Sequence, residues 1–280
     1  MHPAPVNRVA LVSGVARPPG IGRATALRLA RAGFTVACAD LLAARPADTG
    51  TVTPALFDDV VAEIEQAARP GGGHVLALPQ READSRSWQQ LVDATTARFG
   101  RLDVCCALNG ITGPHAGDGA LLDVTEDAWA RGLELNLTAP WLLVRAAARA
   151  MRAAGRPGTI VVLSSQAALV PKAGVGALGA ARVAVNHLVS VLAKELGPDQ
   201  IRVNAVAPLS VAPSQRFPNP GLIALAERQG ISFAEWTARQ IPLGRAQDAD
   251  ETAAVIEFLC SDAASYVSGV TIPVHGGAQP

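Results

Sequence analysis

A parallel α/β sheet, doubly wound by helices on both faces and forming a single domain over residues 1–280, is the fold class this sequence predicts. Three observations predict it. Short apolar runs rich in Val, Ala and Cys alternate with longer stretches of helical periodicity. The short runs are continuously apolar, as strands buried on both faces require. The segments between them are long enough for crossover helices, and right-handed crossovers build a doubly wound sheet.

Residues 8–13 read as the first strand and 21–32 as the first helix. A second strand over 35–40 is followed by a helix over 57–68 and a third strand over 74–78. The helix over 85–99 stops at Gly100, where the absence of a Cβ permits a left-handed cap. Strands over 104–107 and 159–164 flank one long helix over 126–151. The helix over 175–196 ends at Gly197-Pro198. A sixth strand over 202–207, a helix over 249–259 and a last strand over 270–274 complete the pattern. Two segments read as insertions. Residues 41–54 form an inserted loop, and residues 209–247, placed after the sixth strand, suit a substrate lid.

Charge and composition narrow the function. The 24 basic and 24 acidic residues cancel, which argues against a polyanion such as nucleic acid as partner. No run of 18 apolar residues is present, so no membrane span is expected. Residues 1–7 lack a signal-peptide pattern, and the expected location is cytoplasmic. Four cysteines without a C-x-x-C, and five histidines without ligand spacing, predict buried thiols, no disulfide framework and no metal site.

The first strand runs into Ser13-Gly14-Val15-Ala16-Arg17-Pro18-Pro19-Gly20-Ile21-Gly22. Gly20, Ile21 and Gly22 open a helix whose first amides lack backbone partners, a ready site for a diphosphate. Asp40 closes the second strand 18 residues after Gly22, where a carboxylate accepts from an adenosine ribose and repels a 2′-phosphate. Glycine loop, helix and acid together make the sheet Rossmann-like, with Gly14, Gly20, Ile21, Gly22 and Asp40 as candidate cofactor residues.

With these residues, and with Gly100-Arg101-Leu102-Asp103-Val104, Glu134-Leu135-Asn136-Leu137-Thr138, Ile201-Arg202-Val203-Asn204-Ala205 and Val274-His275-Gly276-Gly277, the chain resembles the short-chain dehydrogenase/reductase family from residue 8 to residue 277. The resemblance implies NAD(H) binding, hydride exchange between an alcohol and a carbonyl, and a homodimer or homotetramer. By the same resemblance Asn109 and Gly110 stand in the cofactor motif after the fourth strand, and Asn136 and Ser165 match two of the family's catalytic residues.

The departures are as informative. Gly14 and Gly20 enclose five residues, a longer loop than the family's usual one and similar to that of its enoyl-acyl-carrier-protein reductase branch. The inserted loop over 41–54 is similar to one in family members that hold NAD tightly. The family's Tyr and Lys positions hold Leu178 and Arg182. Arg81 stands where an acid is usual, although Asp84 matches that motif's second acid. Pro208-Leu209-Ser210-Val211-Ala212-Pro213 lacks the Gly and Thr that meet the nicotinamide amide. Tyr266, the chain's one tyrosine, is expected to pack in the C-terminal motif, and Trp129, Trp141 and Trp236 to anchor packing.

Leucine has no proton to give, and arginine keeps its own. The reading taken from these losses is a family-derived enzyme of non-redox chemistry: cyclisation, isomerisation, elimination or C–C bond chemistry. In it Asn136, Ser165 and Arg182 orient a substrate with an apolar part and a polar or anionic group, Leu178 lines the apolar wall, and Arg182 clamps the anion. Asn109, Lys172 and His115 are further candidates on nearby loops. The cofactor is then NAD(H), or none. Two alternatives stand beside it: an NAD-dependent alcohol/carbonyl oxidoreductase with an unusual proton donor, and a non-catalytic subunit paired with an active relative.

Overall fold

Seven parallel strands follow the order β3-β2-β1-β4-β5-β6-β7 in the computed structural model. The structure describes residues 8–17, 20–42, 52–68, 73–80, 83–209, 211–212, 223, 226–227 and 229–278. The strands are β1 (Val9–Ser13), β2 (Thr35–Leu41), β3 (Val75–Gln80), β4 (Val104–Ala107), β5 (Gly158–Leu163), β6 (Ile201–Pro208) and β7 (Thr271–Val274). The helices are α1 (Ile21–Arg31), α2 (Pro54–Ala68), α3 (Ser85–Phe99), α4 (Glu126–Leu133), α5 (Ala139–Ala153), α6 (Gly176–Leu196), α7 (Phe233–Gln240) and α8 (Ala249–Cys260).

Alternate residues of each strand feed two separate cores, as the period of two demands. On one face Ala10, Val12, Val36 and Cys106 pack with Leu27, Ile64 and Ile256 from α1, α2 and α8. On the other, Leu11, Cys105 and Ile160 pack with Trp88, Leu143 and Val189 from α3, α5 and α6. All four cysteines are free and buried, as expected. Helix α6 is long and apolar enough by composition to cross a bilayer. Its Val185 and Val189 nevertheless lie inside the second core.

Three expectations need correction. The long helix over 126–151 is two helices joined by a π-turn over Glu134–Thr138. Its cause is local: Asn136 bonds to the Ile111 backbone twice, through Oδ1 from the N–H and through Nδ2 to the C=O, both at 3.0 Å. Trp129 and Trp141 remain 38% exposed, and the large aromatic anchor is instead Trp88, held also by a bond to Ala83 O. Tyr266 is fully solvent-exposed and packs nothing.

Both insertions are pinched at the base by parallel bridges. Leu42 pairs with Val52, and Val211 with Gln247. Residues 43–51 of the first, and 210, 213–222, 224–225 and 228 of the second, lie outside the described residues. So do Pro18, Pro19 and Arg81. The described part of the second insertion carries α7, capped by the Ser232 hydroxyl, which accepts from Glu235 N.

Candidate active site

Strand order reverses between β1 and β4, and ligands of open α/β sheets bind beyond the strand ends at that switch. The glycine loop leaves β1 at this point. Gly14 has φ 75° and Gly20 φ 89°, left-handed values that a Cβ would penalise. Gly20 caps α1 without any side-chain bond, and no acid occupies the helix's first turn. A Cβ on Gly22 would run into the Gly14 carbonyl, so this glycine sets how closely helix and loop approach. A narrow crevice opens beside the loop, lined by Arg17, Leu41, Asn109, Gly110, Leu135 and Ala139.

Asp40 lies at the expected strand end, but its carboxylate turns inward and is fully buried. Oδ2 accepts from Ala16 N at 2.8 Å and Arg17 N at 3.0 Å, and Oδ1 accepts from Leu41 N at 2.8 Å. Arg17 Nε stands 3.8 Å from Oδ1. Burial raises the carboxyl's pKa against the opposing pull of Arg17 and the three amides. In this arrangement Asp40 holds the glycine loop; it is not the open ribose acceptor the sequence suggested.

Arg182 departs further from expectation. It is 2% exposed. Nη1 donates to Leu163 O at 2.6 Å, and Nη2 to Asn109 O at 3.0 Å and Asn136 Oδ1 at 3.1 Å. The guanidinium thus ties α6 to the ends of β4 and β5 and to the π-turn, and both Nη groups are used within the protein. The anion clamp expected of it is not what this geometry provides. Its acceptors are neutral, and burial brings its pKa down to about 10. Gly110 is required beneath it, since a Cβ there would strike Nη2.

Ser165 follows β5 and caps a short turn, its Oγ accepting from Ala167 N at 3.2 Å. That contact leaves the hydroxyl proton free to donate. Leu178 sits in the first turn of α6, and Gly179 on the same turn lies against Ala167 O. The structure therefore brings Asn109, Gly110, Asn136 and Arg182 into direct contact, with Ser165 and Leu178 alongside. His115 lies in a tight turn over Pro114–Ala116, within which Asp118 accepts from Gly113 N at 2.6 Å.

One residue was missed from sequence. Gln80 ends β3 beside Leu41, 5% exposed, and neither atom of its amide has a partner. The only signal for it was its place just past the third strand predicted over 74–78. The orphaned amide offers a donor and an acceptor side by side, as an adenine edge requires. With the uncapped start of α1 and the switch-point crevice, these residues fit the adenosine diphosphate part of a dinucleotide.

A family model described as enoyl-(acyl carrier protein) reductase matches residues 14–279. A Mycobacterium tuberculosis protein named as an uncharacterized NAD-dependent oxidoreductase is 34% identical, over 97% of this chain and 96% of its own. The trans-4-hydroxycyclohexanecarboxylate dehydrogenase of Sinomonas cyclohexanicum is 36% identical, over 97% of this chain and 92% of its own. The crystal structure of carveol dehydrogenase from Mycobacterium avium in complex with NAD superposes with a TM-score of 0.86, at 29% identity, covering 97% of each chain. With near-complete coverage, a seven-stranded parallel sheet and a glycine loop at its switch point, the chain belongs to the short-chain dehydrogenase/reductase family.

Proposed function

We propose that the protein is an NAD-dependent oxidoreductase that interconverts an alicyclic secondary alcohol and its ketone, using a proton route other than the family's tyrosine. The observation that carries this reading is the match over 97% of the chain to relatives whose names describe dehydrogenation of ring alcohols. The expectation of non-redox chemistry rested on Leu178 and Arg182, and the comparisons support the redox alternative better.

The start of α1 would hold the diphosphate, and Gln80 the adenine edge. When bound, NAD(H) supplies or accepts the hydride. Ser165, whose oxygen already accepts from Ala167 N, directs its own O–H to the substrate oxygen and fixes its position. Arg182 sets a cation beneath the site that pairs with no carboxylate among the described residues, a field that favours negative charge on that oxygen. Leu178 contributes only an apolar wall, so the proton is exchanged with water. Loss of a positioned general acid costs about 10²–10⁴ in rate, which leaves a slow but real enzyme. The described part of the 209–247 insertion, which carries α7, would cover the substrate.

The test is alcohol-dependent reduction of NAD⁺ with carveol and cyclohexanol, beside NADH binding measured by fluorescence. Slow turnover is expected, rising about tenfold or more in the Leu178→Tyr/Arg182→Lys double variant, which restores the phenol and ammonium. Absence of both nucleotide binding and turnover overturns the reading and leaves the non-catalytic subunit.

A further inference from the structure

A substrate anion needs an accessible cation that protein carboxylates have not neutralised, and Arg182 is buried, with both Nη groups bonded to protein oxygens. Arg17 faces Asp40, Arg239 pairs with Glu235 and Arg245 with Glu251. Lys172 is held differently. Its Nζ lies 5.3 Å from the ring centroid of Trp236, and no carboxylate contacts it among the described residues.

Lys172 stands on the loop between Ser165 and Leu178. Two residues further on, the loop is fastened where Gly119 N donates to Gly174 O at 2.9 Å. Trp236 belongs to α7 in the second insertion and is 3% exposed. The indole therefore restrains the lysine's flexible stem without cancelling its charge. Exposed aliphatic side chains lie at both ends of the same loop. Leu169 is 39% exposed and Leu121 60%, the latter lying against Gly176 at the start of α6. Exposed leucines beside a single restrained ammonium suit a ligand with an apolar ring and one negative charge.

We infer that Lys172, braced on Trp236, is the specificity-determining cation of this site and binds the carboxylate of an alicyclic hydroxy or oxo acid. The ring lies on Leu169 and Leu121, and the hydroxyl points to Ser165. This inference rests on the proposed oxidoreductase function and adds the substrate's charge to it.

The experiment compares kcat/KM for 4-hydroxycyclohexanecarboxylate, cis and trans, with that for cyclohexanol, in wild type and in Lys172→Gln and Lys172→Arg. The wild type should prefer an acid. Lys172→Gln should lower the acid-to-cyclohexanol ratio about tenfold or more, mainly through KM, and Lys172→Arg should restore most of it. Equal loss on both substrates, or an unchanged ratio, overturns the inference while leaving the oxidoreductase reading intact. If neither substrate turns over and NADH does not bind, the oxidoreductase reading fails; whenever turnover is absent, calorimetry with the 4-hydroxy acid alone decides this one. Binding that Lys172→Gln abolishes supports it, and binding that is absent or indifferent to the variant overturns it.

Discussion

Arg182 Nη2 and Asn136 Oδ1 lie 3.1 Å apart, and the same oxygen accepts the Ile111 N–H at 3.0 Å. One amide oxygen thus joins α6, the π-turn and the loop after β4. Arg182→Ala would open a void and leave the Leu163 and Asn109 carbonyls without this donor. A loss of about 2–4 kcal/mol in stability is expected, measured by urea unfolding. An anion clamp, the role the sequence suggested for Arg182, would instead cost activity more than stability. A variant as stable as wild type would remove the strut role.

Asp40→Asn should loosen the glycine loop. An amide keeps one acceptor oxygen, but its NH₂ must then face Leu41 N or the pair of amides on Ala16 and Arg17. A cost of about 1–3 kcal/mol follows from the mispaired donor. NADH affinity should fall with it. Fluorescence titration at a temperature where the variant is fully folded separates the two effects.

Gly22→Ala sets a methyl against the Gly14 carbonyl, which is backbone and cannot rotate away. The loop must shift, at about 1–3 kcal/mol. Nucleotide binding should be lost before the fold is. Retained NADH binding in isothermal titration would separate this loop from the cofactor site.

Acid stability should depend on the α8 cap. Glu251 receives both Arg245 Nη groups at 2.7 Å and accepts from Asp248 N at 2.8 Å. The Arg245 bonds, then the Asp248 amide, bring its pKa from 4.5 down to about 2. Its folded value is depressed, so its stabilisation is complete above pH 4.5 and is lost as pH falls toward 2. The pair is largely solvated, so the effect is small. Glu251→Gln should flatten this part of the acid limb in urea midpoints taken across that window.

The sheet, its order at the switch point and the start of α1 were legible because continuous apolar runs and glycines encode them directly. Asn136, Ser165, Leu178 and Arg182 could be located by spacing. Their orientations could not. Nothing in the sequence reveals that Asp40 turns toward Ala16 and Arg17, because its partners are main-chain amides that any residue supplies. Arg182's acceptors are hidden for the same reason, two of the three being carbonyls. The π-turn escapes a periodicity reading because a 3.6-residue pattern runs undisturbed on either side of it, and the step in phase between them falls within five residues. Gln80 stayed unseen because a polar residue after a strand ordinarily faces water.

The π-turn over Glu134–Thr138 has a geometric consequence for everything after it. An extra residue in one turn rotates the following helix by roughly 100° relative to an uninterrupted one. Leu142, Leu143 and Ala146 of α5 thereby face inward, while Trp141 remains outward. Deleting a single residue between Glu134 and Thr138 would swing that azimuth back, drive the indole toward the sheet and turn part of the aliphatic stripe out to solvent.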